Sequence, residues 1–308
     1  MKPLVTVVIT TYNGVNTIER AIKSVQKQTY NNLEIKVVDD NGIGSVAQLK
    51  TEEIVRKCGD NIKYIPHKTN LNGAVARNTG IHNSNGKYIA LLDDDDAFRP
   101  EKISKQIDVM EELDEDYGLC YTGMMIHFQN GRTIEQITNY EGYIFDNAIM
   151  REVKAQTSEF LIRKSCLSKL KGFDESFSRH QDWEFFDRMA FYYKIAVVKE
   201  VCVDRYIYKR TAAKNPIQYE HNRLHYLSKM KPFIDTLEVR KRKELYNFHY
   251  RSIAKEYIKQ KKINRGLMYL IKSGSPIRTI RGFVNEYKSS SVSLFNSEYR
   301  RTKKDKEK

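Results

Sequence analysis

At 308 residues, with 40% apolar and 11% aromatic side chains, the chain can form one large domain with an appendage and bury a real core, which excludes wholesale disorder. The formal charge of +14 is uneven: residues 221–308 hold 23 of the 53 Lys and Arg but only 8 of the 39 Asp and Glu, so the first 220 residues are close to neutral. The excess charge therefore bears on the partners of the tail and says little about the chemistry of the body.

The first apolar run, Leu4–Thr10, is far shorter than the roughly 20 residues a bilayer span requires. It leads into Thr11-Tyr12-Asn13-Gly14 with no small-residue cleavage site, so neither a membrane span nor a secretory leader is expected. It reads instead as a strand, as do Leu33–Asp39, Ile62–Pro66, Tyr88–Leu92 and Gly118–Thr122, all β-rich runs suited to burial on both faces. Between them, Asn16–Gln28, Ser45–Cys58, Gly73–Asn83 and Pro100–Glu112 have helical spacing, the last with Pro100 expected in its first turn. Strand alternating with helix predicts an α/β, doubly wound, mostly parallel sheet.

From Met124 to Ile137 two alternating runs flank Gln129-Asn130-Gly131, predicting a hairpin. A strand at Ser158–Ile162, a helix from Gln181 to Tyr193, and two strands at Ile195–Val201 and Val203–Tyr208 follow. From His221 onward Lys-rich helical segments dominate, with a break at Ser273-Gly274-Ser275-Pro276 and a charge run from Arg300 to Lys308 expected to be disordered. No internal repeat is present. Cys58, Cys120, Cys166 and Cys202 are scattered without a CxxC pair, so they read as small buried hydrophobes in a reducing compartment and not as a zinc or disulfide framework.

In an open parallel sheet, ligands bind at the carboxyl ends of the strands. Here those ends carry Thr10-Thr11-Tyr12-Asn13, Asp39-Asp40-Asn41, His67 and Asp93-Asp94-Asp95-Asp96. Two carboxylate clusters converging on one edge repel unless a cation lies between them. Asp side chains on a short turn supply hard oxygen ligands and leave coordination positions open for diphosphate oxygens and water, as Mg²⁺ requires. A solvated acidic turn capping the next helix is the competing reading. A second constellation, Lys171-Gly172-Phe173-Asp174-Glu175 followed by His180-Gln181-Asp182-Trp183-Glu184, places Asp182 at a helix start, where a carboxylate can equally serve as a cap.

The ordered set Val7–Asn13, Ser24–Thr29, Glu34–Asp40, Gly73–Gly80, Gly86–Asp96 and Lys171–Asp182 resembles the family 2 glycosyltransferases of the GT-A fold, inverting and of the bacterial surface-polysaccharide type, over about residues 1–208. The resemblance implies that Thr10, Tyr12 and Asp40 hold the nucleotide base and ribose, with Asp40 reading the base. It places Arg77 near the nucleotide with Asn78 supporting its loop, Asp95 as metal ligand, Asp93 as ligand or ribose contact, Asp94 sharing either duty, and Asp182 as catalytic base. The chain departs from the family pattern in having Gln181 before Asp182 and Asp39-Asp40-Asn41-Gly42 in place of Asp-Asp-Gly-Ser, but no required carboxylate is lost.

These residues suit the chemistry. The leaving diphosphate gains charge that a divalent cation, Mn²⁺ or Mg²⁺, would stabilise, and a poor hydroxyl nucleophile needs a carboxylate to take its proton. Trp183 reads either as a sugar-stacking neighbour or as ordinary core. The expected organisation is a GT-A catalytic domain at 1–210 (nucleotide-sugar-binding half 1–122, acceptor-binding half 123–210), a basic helical extension at 211–290 and a disordered basic tail at 291–308. The expected activity is metal-dependent, inverting transfer of a hexose or N-acetylhexosamine from a UDP-linked donor to a glycan or lipid-linked acceptor. A catalytically inactive nucleotide-sugar- or carbohydrate-binding module on the same fold is the alternative; a nucleotidyltransferase would be expected to carry a Gly-rich, basic loop where Thr11–Gly14 stands. The expected location is cytoplasmic. The basic tail, with Tyr246, Tyr250, Ile253 and Tyr257 at helical spacing, reads as a packed helical subdomain or as a site of attraction to an anionic membrane surface, which would make the protein peripheral at the inner face. No signature accompanies the charge that would point to nucleic acid.

Overall fold

The computed structural model describes residues 2–207 and 215–274. In chain order the elements are β1 (Val5–Thr11), α1 (Ile18–Gln26), β2 (Leu33–Asp39), α2 (Val46–Cys58), β3 (Ile62–Pro66), α3 (Gly73–His82), β4 (Tyr88–Asp93), β5 (Asp96–Phe98), α4 (Lys102–Glu112), β6 (Tyr117–Phe128) and β7 (Thr133–Gln136). Then come α5 (Phe145–Ile149), β8 (Leu161–Arg163), α6 (Cys166–Leu170), α7 (Gln181–Tyr192), β9 (Lys194–Ile207), α8 (Pro216–Ile234), α9 (Val239–Lys259) and α10 (Ile263–Lys272).

Among the described residues one sheet runs in the order β3-β2-β1-β4-β8-β6-β9-β5, with β7 paired to β6. The strands β3, β2, β1 and β4 are mutually parallel, as the alternating pattern predicts. Inserted β8 is antiparallel to both β4 and β6, whereas β6 and β9 run parallel to each other. The period-2 geometry of the strands divides the core into two layers. Val5, Val7 and Ile9 of β1 join Tyr88, Ala90 and Leu92 of β4 against α1 and α4. The opposite face, with Val8, Ile89 and Leu91, packs on α3 and α7. Approach on that side is close: a Cβ on Gly80 of α3 would fall 2.1 Å from Val8 Cγ1.

Several expectations shift. The runs 118–122 and 124–128 are a single strand, β6, and 195–201 with 203–207 are a single strand, β9; Tyr208 lies outside the described residues. Their mutual register slips around Gly123, where a Cβ would lie 3.0 Å from Gln136 O and 3.1 Å from Glu200 O. An irregularity absorbed inside a long strand pair reads in sequence as a break. Ser158 lies in a 3₁₀ turn, Thr157–Glu159, and not in β8. Pro100 precedes α4, whose cap residue is Glu101. The hairpin at 129–131 forms as expected, closed by Phe128 N donating to Arg132 O (2.9 Å). Cys120, Cys166 and Cys202 are buried free thiols, and Cys58 is free and half-buried.

The chain divides into two compact units, Met1–Thr211 and Ala212–Lys308. In the second, α9 and α10 pack through Ile253, Ala254, Tyr257, Tyr269 and Leu270. Buried Glu220 of α8 accepts from Arg265 Nη2 (2.8 Å) and from the hydroxyls of Tyr257 and Tyr269. The expected tail at 291–308 lies outside the described residues. No helix among the described residues is long and apolar enough to cross a membrane.

Candidate active site

The parallel strands β1, β2 and β4 end together, so their polar C-terminal residues meet at one edge. Register pairing sets Thr10 beside Asp93 and beside Val38, and Thr11 beside Asp39. Alternation then separates the two threonines: Thr11, and not Thr10, reaches the acidic run, its Oγ1 donating to Asp94 Oδ2 at 2.5 Å. The Tyr12 amide donates to the same oxygen (3.3 Å), and the Tyr12 ring is 56% exposed, leaving a face open to a ligand. A Cβ on Gly14 would lie 1.7 Å from Asp94 Oδ2, so only glycine allows this approach. Burial, with Asp95 and Asp93 adding repulsion, pushes the Asp94 carboxyl up to about 7.

The carboxylates ending β2 are bound by the chain itself. Asp39 accepts from Tyr64 Oη (2.6 Å) and from the Asn41 amide (2.8 Å) and side chain (2.7 Å), and Asn41 Oδ1 in turn accepts from Asn13 N (2.7 Å). Asp40 uses both oxygens. Oδ1 meets His67 Nδ1 (2.7 Å) and Leu71 N (2.8 Å); Oδ2 meets Asn70 Nδ2 (3.0 Å) and Asn72 N (2.9 Å). All four lone-pair positions are thus taken. In this arrangement Asp40 fixes the loop 67–72.

The acidic run behaves differently. One ligand oxygen each from Asp93, Asp95 and Asp96 lies within 4.8 Å of the others. Asp96 enters the short strand β5 and not the turn before α4 that the sequence pattern suggests; its Oδ2 accepts from Ser158 Oγ (2.6 Å), while its buried Oδ1 has no partner among the described residues. Burial, reinforced by Asp93 and Asp95, raises the Asp96 carboxyl to about 8. Asp95 is also raised, by burial first and then by Asp93. A buried acceptor without a partner costs free energy that a bound cation would recover. Three carboxylates at this spacing, hard donors with one orphaned oxygen, therefore fit a divalent cation. The run brings together Asp93 and Asp95, the two expected ligands; it adds Asp96, which the sequence reading left without a role, and draws Asp94 away to Thr11. The period-2 spacing of Asp96 and Phe98, both buried, is the signal that could have shown Asp96 pointing inward.

Arg77 connects this run to α7. From α3 its Nη2 donates to Asp93 Oδ1 (2.6 Å) and its Nη1 to Gly73 O (3.3 Å). With the Gln181 amide turned so that both ends are satisfied, its oxygen accepts from Arg77 Nη1 (2.8 Å) and its nitrogen donates to Phe177 O (3.2 Å). The next residue, Asp182, lies in the first turn of α7, where the helix dipole favours a carboxylate. Burial nevertheless raises its pKa; Arg77 and Arg151 oppose the shift, and the charge of Asp93 adds to it. The fold thus brings Asp182 within electrostatic reach of the acidic run. Asn78 and Arg188 hold the segment between. Asn78 exchanges hydrogen bonds with Phe173 N (2.8 Å) and O (2.9 Å), and Arg188 donates to Leu170 O (2.7 Å) and Gly172 O (2.9 Å). Trp183 stacks on His180 (centroids 4.2 Å apart) and has the Arg151 guanidinium 4.8 Å from its ring.

Two cations beyond the expected set face the run. Arg20 Nη2 donates to Asp95 O (2.6 Å) while its guanidinium lies 3.9 Å from the Tyr206 ring centroid. Arg205 is the β9 register partner of Asp96, and its charge acts on Asp95 and Asp96. Neither stands in a motif, which is why sequence alone does not reveal them.

The glycosyl transferase family 2 model matches residues 6–178. An uncharacterized glycosyltransferase of Methanocaldococcus jannaschii is 30% identical over 206 residues, 65% of this chain and 69% of that protein. The amylovoran biosynthesis glycosyltransferase AmsB of Erwinia amylovora is 23% identical over 246 residues, 76% and 79% of the two chains. Some relatives are much longer: a Rickettsia bellii glycosyltransferase, 38% identical over 135 residues (44% of this chain), is matched over 19% of its length. Among solved structures, S. aureus TarS 1-349 in complex with UDP-GlcNAc shares the fold with a TM-score of 0.59 at 16% identity, over 88% of this chain and 92% of that one. The Pyrobaculum calidifontis mannosyltransferase PcManGT, in complex with GDP-Man and Mn²⁺, gives 0.60 at 14% identity, over 96% and 81%. With more than half its length matched by the family model, the chain belongs to glycosyl transferase family 2.

Proposed function

We propose that this chain is an inverting glycosyltransferase that moves a hexose or N-acetylhexosamine from a UDP-linked sugar to a hydroxyl of a glycan or lipid-linked acceptor, in the building of a surface polysaccharide. One observation carries the reading: the crowded carboxylates of Asp93, Asp95 and Asp96, one buried Asp96 oxygen of which has no partner among the described residues, lie with Arg77 and within electrostatic reach of the raised carboxylate of Asp182. The solved structures with UDP-GlcNAc and with GDP-Man and Mn²⁺ support a nucleotide-sugar donor and a divalent cation, and AmsB supports the polysaccharide context.

In this reading Asp93, Asp95 and Asp96 hold the cation, which when bound would supply Lewis-acid stabilisation of the leaving diphosphate. Thr10 and the open face of Tyr12 border the nucleoside, on a floor that Asp40 shapes through the 67–72 loop. Arg77 keeps Asp93 oriented. Asp182 accepts the proton of the acceptor hydroxyl, whose oxygen bonds to the anomeric carbon as the bond from that carbon to the diphosphate oxygen breaks. A single displacement inverts the centre. A base whose pKa is raised toward the working pH is better matched to this task than an ordinary carboxylate. In this reading a lipid-linked acceptor would lie at the cytoplasmic face of a membrane.

A hydrolysis screen across UDP- and GDP-sugars with Mn²⁺ tests the reading. Release of one nucleoside diphosphate, abolished by Asp95→Ala, is the expected result. Saturable donor binding with no turnover on any donor or acceptor would favour an inactive binding module.

A further inference from the structure

Helix α10 carries more apolar surface than its packing uses. Its buried residues Gly266, Tyr269 and Leu270 face α9, and a Cβ on Gly266 would lie 2.6 Å from Ile258 Cγ1. Beside that face Ile263, Leu267 and Ile271 recur at i, i+4 and i+8, which makes a second apolar stripe along the same helix. They are 48%, 44% and 72% exposed. Cations flank them along the chain, Lys259, Lys261, Lys262, Arg265 and Lys272, with no Asp or Glu from Tyr257 to Gly274. Arg265 is drawn aside to Glu220, and Lys272 lies 5.2 Å from the Tyr269 ring centroid.

Charge decides what the stripe can meet. A second copy would bring the same basic helix against itself. The segment 275–308 is basic too, with nine Lys and Arg against four Asp and Glu. An apolar stripe flanked by cations fits a surface that is apolar beneath and anionic at its rim, which is a bilayer containing acidic lipid.

We propose that α10 is an interfacial membrane-docking helix, with Ile263, Leu267 and Ile271 entering the headgroup boundary and the flanking lysines meeting anionic lipid. The proposal rests on the reading of a membrane-borne acceptor for its purpose, though the contact is measurable without it. The full chain is sedimented with vesicles of phosphatidylcholine alone and of phosphatidylcholine mixed with phosphatidylglycerol. Wild type should partition to the anionic vesicles, and Leu267→Glu with Ile271→Glu should lower that partition about tenfold or more. A Lys261→Gln, Lys262→Gln chain, which leaves the apolar stripe intact, should partition more weakly and with a smaller salt dependence.

Equal partition of the stripe variant and wild type, or no preference of wild type for anionic vesicles, overturns the assignment. So does a dimer in velocity sedimentation that the stripe variant abolishes, since the occupant would then be a second copy. Donor hydrolysis is measured on the same variants without vesicles. Unchanged hydrolysis beside lost partition locates the defect in α10. Absent hydrolysis in wild type with partition intact would strike the transferase reading alone.

Discussion

Two acidic groups end parallel strands on either side of β1, yet the chain treats them in opposite ways. At the end of β2, Asp39 and Asp40 have their oxygens bound by Tyr64, Asn41, His67, Asn70 and two backbone amides. At the end of β4, Asp93, Asp95 and Asp96 are crowded within 4.8 Å, and one buried oxygen of Asp96 has no partner among the described residues. A carboxylate saturated by its own loop is scaffold, because its charge has already been spent on fixing backbone. A carboxylate left frustrated in a folded protein marks the place where a ligand completes the structure. Both look alike as letters; only their hydrogen bonds tell them apart.

The largest effect separates chemistry from both groups. Asp182→Asn keeps shape but removes the proton acceptor, so transfer should fall by about 10²–10⁴-fold. Calorimetric titration with UDP and Mn²⁺ should stay near wild type. Full activity in that variant would remove Asp182 from the base role.

The next tests the scaffold side. Asp40→Ala leaves the Leu71 and Asn72 amides and His67 without their acceptor. Unfolding free energy from urea melts should drop by about 2–4 kcal/mol, since a lost buried acceptor strands several donors at once. A stability loss within about 0.5 kcal/mol would mean that Asp40 is less structural than its bonds imply.

Gly80→Ala probes the layer beneath both groups. The added methyl collides with Val8, and overpacking of this kind costs about 1–3 kcal/mol, readable as a lowered melting temperature. An unshifted melt would show that α3 can move off β1 freely.

The smallest effect is a pH dependence. Folded Asp94 and Asp96 have pKa values of about 7 and about 8, above the ordinary 3.8. The folded state therefore binds more protons than the unfolded one between those limits. Their contribution is complete below the unfolded pKa and is lost as pH rises through the folded values. Metal-free protein should accordingly lose stability from pH 5 to about 8, and Mn²⁺ should restore it at the upper end. Stability rising with pH in the absence of metal would contradict the burial of this run.

Much of this was legible in the sequence where the pattern is local. Short apolar, β-rich runs mark β1, β2, β3 and β4, and the motif at the end of β4 singles out Asp93 and Asp95, whereas Asp182 stands out at a helix start and Arg77 only through the family resemblance. What sequence hides is non-local. The three-residue β5 offers only the spacing of Asp96 and Phe98, too short to announce a strand, and it forms by pairing Asp96, Ala97 and Phe98 with Arg205, Asp204 and Val203. The slip at Gly123 made two long strands read as four short ones. Whether an Asp is saturated depends on donors 27 to 32 residues away, as Asp40 shows with His67 and Asn72. Spacing cannot report that.

The contrast between the two acidic groups is tested most directly by titrating Mn²⁺ with UDP into wild type, Asp95→Ala and Asp40→Asn under one condition. Asp95→Ala should weaken metal-dependent UDP binding by about a hundredfold or more, whereas Asp40→Asn should bind Mn²⁺ within about threefold of wild type while melting at a lower temperature. Wild-type affinity in Asp95→Ala, or loss of Mn²⁺ binding in folded Asp40→Asn, would contradict the division of the two groups into ligand site and scaffold.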